Sequence, residues 1–192
     1  MLTYGQLDLI WNIEVACQRC IRASQYFNVV SGTRRNLWAF TQNCYGGICV
    51  VHWCQVFGSR SEPTHYSRIF ESGAVSTISK EEVSKKLHAS VGMNDDQYMQ
   101  FWQSVKDARD KFLVHNEFSS SDRPVFPDLA KMADVCLEMR KILLDIIESE
   151  SSENPKYQGD IRHFISSYTN DRLVSEITND LPDLKQALSK RG

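Results

Sequence analysis

Proline and glycine are scarce in this 192-residue chain, with five and nine of them. The stretches between them suit helices better than short, turn-bounded strands. Charge of one sign is also lacking: the formal net charge is −2, so no global positive field draws the chain to nucleic acid or an anionic membrane. No apolar run approaches the roughly 20 residues that span a bilayer. The longest, from Gly46 to Cys54, is interrupted by His52. The first residues, Met1-Leu2-Thr3-Tyr4-Gly5-Gln6, have neither the basic start nor the apolar stretch of a secretory signal, so a cytoplasmic location without membrane contact is expected. A Gly-rich phosphate loop, a nucleophile elbow and an H-E-x-x-H helix are all missing, which leaves kinase, serine hydrolase and metalloprotease readings unsupported.

What is present is enough apolar residue, 42%, for a real core. Six cysteines include a C-x-x-C pair, Cys17 and Cys20, and a group Cys44, Cys49 and Cys54 near His52. Zinc sites place such pairs near turns, twice over or followed by histidines. These cysteines instead fall within helical patterns, where reduced core cysteine is the expectation. No metal and no cofactor is called for.

Periodicity of three and four residues organises the chain. Residues 3–31 carry Leu7, Ile10, Trp11, Ile13, Cys17, Cys20, Ile21, Phe27 and Val30 at helical spacing. Thr33 can cap a second helix to about Phe57, with Leu37, Trp38, Phe40, Cys44, Ile48, Val51, His52 and Val56 inward and Gly46-Gly47 marking close packing or a kink. An irregular stretch over 58–78 holds a turn at Pro63 and a short helix from Thr64 to Phe70. Helices are predicted from Ser79 to about Ser90, from Asn94 or Asp95 to about Phe118, and from Pro127 to about Glu148. Ser119 to Pro124 reads as a loop. Ser149 to Gly159 reads as a linker, followed by smaller helices over Ile161 to Tyr168 and Asp171 to Leu188. The expected fold is all-α, an antiparallel helical bundle over 1–150 with a C-terminal helical extension over 151–192.

One helix carries chemistry. With Tyr98 at zero and about 100° per residue, Phe101, Trp102, Val105, Ala108, Phe112 and Leu113 lie within roughly 80° of it and form the buried stripe. Arg109 projects at about 20°, inside that stripe, and Asn116 close to zero. A guanidinium there needs a partner or a wet cleft. Pairing with Glu14 or Glu62 and snorkelling to solvent are both open readings. His115, at the stripe's edge, is of the type that exchanges a proton near neutrality, while Arg109 can grip a phosphate bidentately. Metal-independent RNA cleavage needs a base for the 2′-hydroxyl, an acid for the leaving 5′-oxygen and a cation for the phosphorane. Positions i and i+6 of a straight helix are about 240° and 9 Å apart, so Arg109 and His115 converge only on a distorted helix or across a symmetric dimer. His65 and Arg68, near the Pro63 turn, are supporting or RNA-contacting candidates, as are Lys111 and Asn116. A solvated loop is the plainer reading for the first two. His52, Trp38, Trp53 and Trp102 read as core.

The run Arg109-Asp110-Lys111-Phe112-Leu113-Val114-His115 resembles the HEPN superfamily signature: an arginine, four to six residues, then a histidine, on a helix of an α-bundle. Asp110 supplies the polar residue the family favours after the arginine. The stretch R-D-K-F-L-V-H-N-E, with the upstream run from Trp53 to Tyr66, is most similar to the abortive-infection branch. The resemblance covers roughly residues 5–150. It implies a homodimeric, metal-independent endoribonuclease with active sites merged at the interface. His115 would transfer protons, Arg109 would stabilise phosphate charge, and Asp110 would orient the arginine or the RNA. It further implies a toxin or phage-defence effector, with RNA and an antitoxin protein as partners. Many members of the family are instead non-catalytic dimerisation or protein-binding modules, which is the alternative reading.

Overall fold

A computed structural model describes residues 1–30, 36–71, 73, 75–110, 126–168, 172 and 175, with the side chains of 36–38 not described. Six α-helices appear among them: α1 (Tyr4–Val30), α2 (Asn36–Phe57), α3 (Lys80–Ser90), α4 (Asp95–Ala108), α5 (Leu129–Ser149) and α6 (Pro155–Ser167). A 3₁₀ helix spans Tyr66–Phe70, and no strand occurs among the described residues. The chain is therefore an all-α helical bundle, as its periodicity predicts. None of these helices is long and apolar enough to cross a membrane. Thr33, Lys111, His115, Asn116, the loop at 119–124 and most of 171–188 lie outside the described residues.

The helix starts follow local chemistry. Thr3 and Gln6 exchange side-chain and backbone hydrogen bonds ahead of α1. Ser79 with Glu82, and Asn94 with Gln97, form reciprocal capping boxes on α3 and α4. Asp128 accepts from the Ala130 and Lys131 N–H groups, so Pro127 precedes the cap of α5 rather than opening the helix. Asn154 caps α6, with Pro155 in its first turn.

The core forms where α1, α2 and α5 meet. Leu7, Ile10, Ile13 and Ile21 of α1 pack with Cys49, Val50 and Trp53 of α2 and with Met132, Met139 and Leu143 of α5. Cys17, Cys20, Cys49 and Cys136 are fully buried there, with Cys20 and Cys49 Sγ atoms 3.4 Å apart. Burial pushes the Cys17 and Cys136 thiols up, so they behave as small apolar side chains. Among the described residues no three His, Cys, Asp or Glu side chains are grouped to hold a metal ion. Cys44 departs from the expectation and is exposed.

Helix α2 corrects the sequence reading most. Phe40, Ile48 and Val51, expected inward, are 67%, 42% and 38% exposed, while Cys49, Val50, Trp53 and Val56 are buried. The 22 residues of α2 contain no Asp, Glu, Lys or Arg, so apolar side chains surround the helix and periodicity alone cannot choose its inner face. Gly46 meets the expectation of close packing: a Cβ there would lie 2.8 Å from the Phe126 ring.

The stretch after Ser149 is no free linker. Leu2 N–H donates to Ser151 O at 2.7 Å and Glu153 N–H to Leu2 O at 3.0 Å, with Leu2 fully buried. Helix α6 lays Ile161 and Ile165 into the same core, and Phe164 against Trp11 with ring centroids 4.2 Å apart. Buried Arg140 of α5 donates to Glu14 of α1 at 2.8 Å and to the carbonyls of Ile165 and Tyr168 at the end of α6.

Candidate functional site

Arg109 follows the last residue of α4. Tyr98, Phe101, Val105 and Ala108 are buried, as the angular count requires, and Arg109 comes off the same side of the helix. At 109–110 the backbone widens into a π-helical turn, a distortion that recurs at functional positions. The Arg109 side chain is 22% exposed; its Nε donates to Asp110 Oδ1 at 2.7 Å, and its Nη1 lies 3.9 Å from Glu62 Oε1. The hydrogen bond to Asp110, above all, raises the Arg109 pKa, so the guanidinium is a fixed positive charge. Of the two carboxylates considered for it, Glu62 is the neighbour. Glu14 is fully buried beside Arg140 instead.

The loop between α2 and the 3₁₀ helix brings Glu62 to that arginine. Gly58 ends α2, its N–H bonded to Cys54 O at 2.9 Å, and a Cβ at Gly58 would collide with that carbonyl. Arg68 Nε donates to Glu62 O at 3.0 Å and pairs with Glu71 at 3.9 Å, so its guanidinium braces the loop. His65 is buried rather than solvated. Its Nδ1 accepts from Ser67 N–H at 3.2 Å, capping the 3₁₀ helix and leaving the proton on Nε2. Burial, helped by the charges of Arg60, Lys80 and Arg68, lowers the His65 pKa to about 4, so near neutrality it is an uncharged cap. His52, half-buried, shares a 2.8 Å hydrogen bond with Gln55.

Arg109, Asp110 and Glu62 are thus brought together, with Arg68 supporting them through the backbone of Glu62. His65 serves the same loop from within. His115, Lys111 and Asn116 lie outside the described residues.

Sequence reasoning missed a cleft of about 410 Å³ on the other side of this loop, between α3 and α4. Arg60, Tyr66, His88, Tyr98, Trp102 and Lys106 are on its walls, and among the described residues no Asp or Glu is. Trp102, expected in the core, is half-buried: its Nε1 donates to Phe57 O at 2.6 Å, and Lys106 Nζ lies 4.4 Å above its ring. His88 stacks on Tyr98 with centroids 4.0 Å apart and bonds Asp95 at 2.7 Å. Spacing on α4 was the available signal, since Trp102, Lys106 and Arg109 recur at steps of four and three.

What the fold and site define together is an all-α bundle presenting Arg109, bonded to Asp110, at the π-helical turn that follows α4. Comparison with family models, curated proteins and solved structures returns no match.

Proposed function

We propose that this chain is a metal-independent endoribonuclease of HEPN type, acting as a cytoplasmic homodimer in toxin or phage-defence chemistry. The observation that carries the proposal is the setting of Arg109: a permanent cation, aimed by Asp110 from a π-helical turn and still open to solvent on part of its surface. The R-x5-H spacing puts His115 six residues further on.

The chemistry divides between these residues as follows. The 2′-oxygen attacks the adjacent phosphorus while His115 accepts its proton. The bond from phosphorus to the 5′-oxygen then breaks, and a histidine returns a proton to that leaving oxygen. A cyclic 2′,3′-phosphate and a free 5′-hydroxyl result. Arg109 stabilises the extra negative charge on the phosphorane, and Asp110 keeps the guanidinium from rotating away. Two protomers supply the acid and the base simultaneously.

The test is incubation of the purified chain with total RNA in EDTA, beside His115→Ala and Arg109→Ala. Cleavage by the unaltered chain is expected to fall at least about a hundredfold in each variant, the scale of a lost general acid–base or transition-state charge contact. Equal cleavage by all three preparations would sink the assignment.

The exposed apolar stripe of Phe40, Ile48 and Val51 on α2 favours a second reading, a non-catalytic module that binds another protein, an antitoxin in the defence setting. A stable partner complex that forms equally with His115→Ala, from a chain that cuts no RNA, would decide for that reading.

A further inference from the structure

We propose that the cleft between α3 and α4 is a nucleotide subsite, in which Arg60 and Lys106 hold a phosphate and the Trp102 ring takes the base. For its link to cleavage the proposal rests on the ribonuclease reading; the binding itself does not. Three observations converge on it. The first is charge. In a chain of net charge −2, this cleft has two full cations and, among the described residues, no carboxylate on its walls. A neighbouring cleft between α3 and α5 mixes Lys85 and Lys86 with Glu82, Asp145 and Glu148. Among the described residues neither Arg60 nor Lys106 is paired with a carboxylate.

The second observation is shape and surface. A volume of about 410 Å³ is within the range of small-molecule sites. Its aromatic wall is rigid: Trp102 is fixed through Nε1 to Phe57 O, and Tyr98 is clamped by the stacked His88 ring. Fixed aromatic faces beside cations are the means by which proteins hold unpaired bases without reading their sequence. Lys106, resting on the Trp102 ring at 4.4 Å, can lift onto a phosphate and free that face.

The third is alignment. Trp102, Lys106 and Arg109 lie along one side of α4 and its terminal turn, about 10 Å from first to last. The loop whose Arg60 faces the cleft also carries Glu62, 3.9 Å from Arg109. The cleft and Arg109 therefore share two structural elements, α4 and the loop from Gly58 to His65. The ligand is a phosphorylated nucleoside, arriving either as one unpaired residue of an RNA strand or as a free 5′-nucleotide.

The test uses the full chain carrying His115→Ala, so that RNA is not consumed, with Arg60→Ala, Lys106→Ala and both together. Fluorescein-labelled single-stranded RNA hexamers, 5′-mononucleotides and unphosphorylated nucleosides are the probes, read by anisotropy and by tryptophan quenching. Each single variant is expected to weaken RNA binding about fivefold and the double variant more, with the salt slope shallower by about 0.7 per cation removed. Lys106→Arg is expected to retain affinity. Competition by 5′-mononucleotides as strong as that of the strand identifies free nucleotide as the source; binding by the strand alone identifies RNA. Unchanged affinity and salt slope in a folded double variant overturn the subsite, as does absence of binding by every probe. RNA cleavage by the unaltered chain together with unaltered affinity in the double variant removes the subsite and leaves the nuclease. Binding that depends on Arg60 and Lys106 in a chain that cuts no RNA does the reverse.

Discussion

His65 shows how a residue type misleads without its surroundings. Near the Pro63 turn it has the look of a displayed, titrating side chain, yet it is buried and accepts the Ser67 N–H. Its pKa of about 4 lies below the ordinary histidine value of 6.5, so the folded state holds its neutral form. The sign follows: its contribution to stability is complete above about pH 6.5 and is lost as pH falls toward 4. The full span is worth about 3 kcal/mol on the scale of 1.36 kcal/mol per pKa unit. Urea unfolding between pH 7 and 4 is expected to show this loss, and His65→Asn, which keeps a capping oxygen, is expected to flatten it. An equally steep decline in the variant would place the acid sensitivity elsewhere. Glu150 separates cleanly, because hydrogen bonds from Ser76 and Thr77 outweigh its burial and lower its pKa, so its contribution disappears only below about pH 4.5.

At the scale of elements, the helices were legible where one face is apolar and the opposite face charged. The stripe of α4 came out with Tyr98, Phe101, Val105 and Ala108 inward, and the starts of α3 and α4 were readable in Ser79 with Glu82 and Asn94 with Gln97. Helix α2 was legible as a helix but not in its orientation, since a segment without charge carries no mark of its outer side. The candidate site divides the same way. Arg109 was marked by a cation interrupting an apolar stripe and Asp110 by the resemblance alone, whereas the cleft depends on a loop fold that brings Arg60 and Lys106 to one cleft, and nothing local in the sequence encodes that approach. Gly46 gives a test of α2's packing. Gly46→Ala forces a Cβ against the Phe126 ring and is expected to cost about 1–3 kcal/mol despite alanine's better helix propensity. Thermal unfolding checks the sign, and a stabilised variant would show that Phe126 yields freely.

For the whole molecule, the two ends of the described chain are locked into one core. The polar run after Ser149 reads locally as a linker because Ser151, Ser152, Glu153 and Asn154 are turn and cap residues. Their role is visible only once Leu2 is seen pairing across them. Phe40, Ile48 and Val51 leave an exposed apolar stripe on α2, and under the homodimer proposal a second copy of the chain covers it. Ile48→Glu is accordingly expected to convert a dimer into a monomer in sedimentation equilibrium while leaving the helical circular dichroism unchanged. A dimer of undiminished strength would exclude this face as the contact.

The pairing of Leu2 with the segment at Ser151 to Glu153 also sets a schedule. About 150 residues separate these partners, so a ribosome adding roughly 5–20 residues per second has finished one roughly 8 to 30 s before it makes the other. From the completion of α2 until α5 and then α6 follow, the apolar face of α1 and the uncharged length of α2 lack the residues that cover them in the folded chain. The order of synthesis thus leaves closure of this core to α5 and α6, made after the segments they cover.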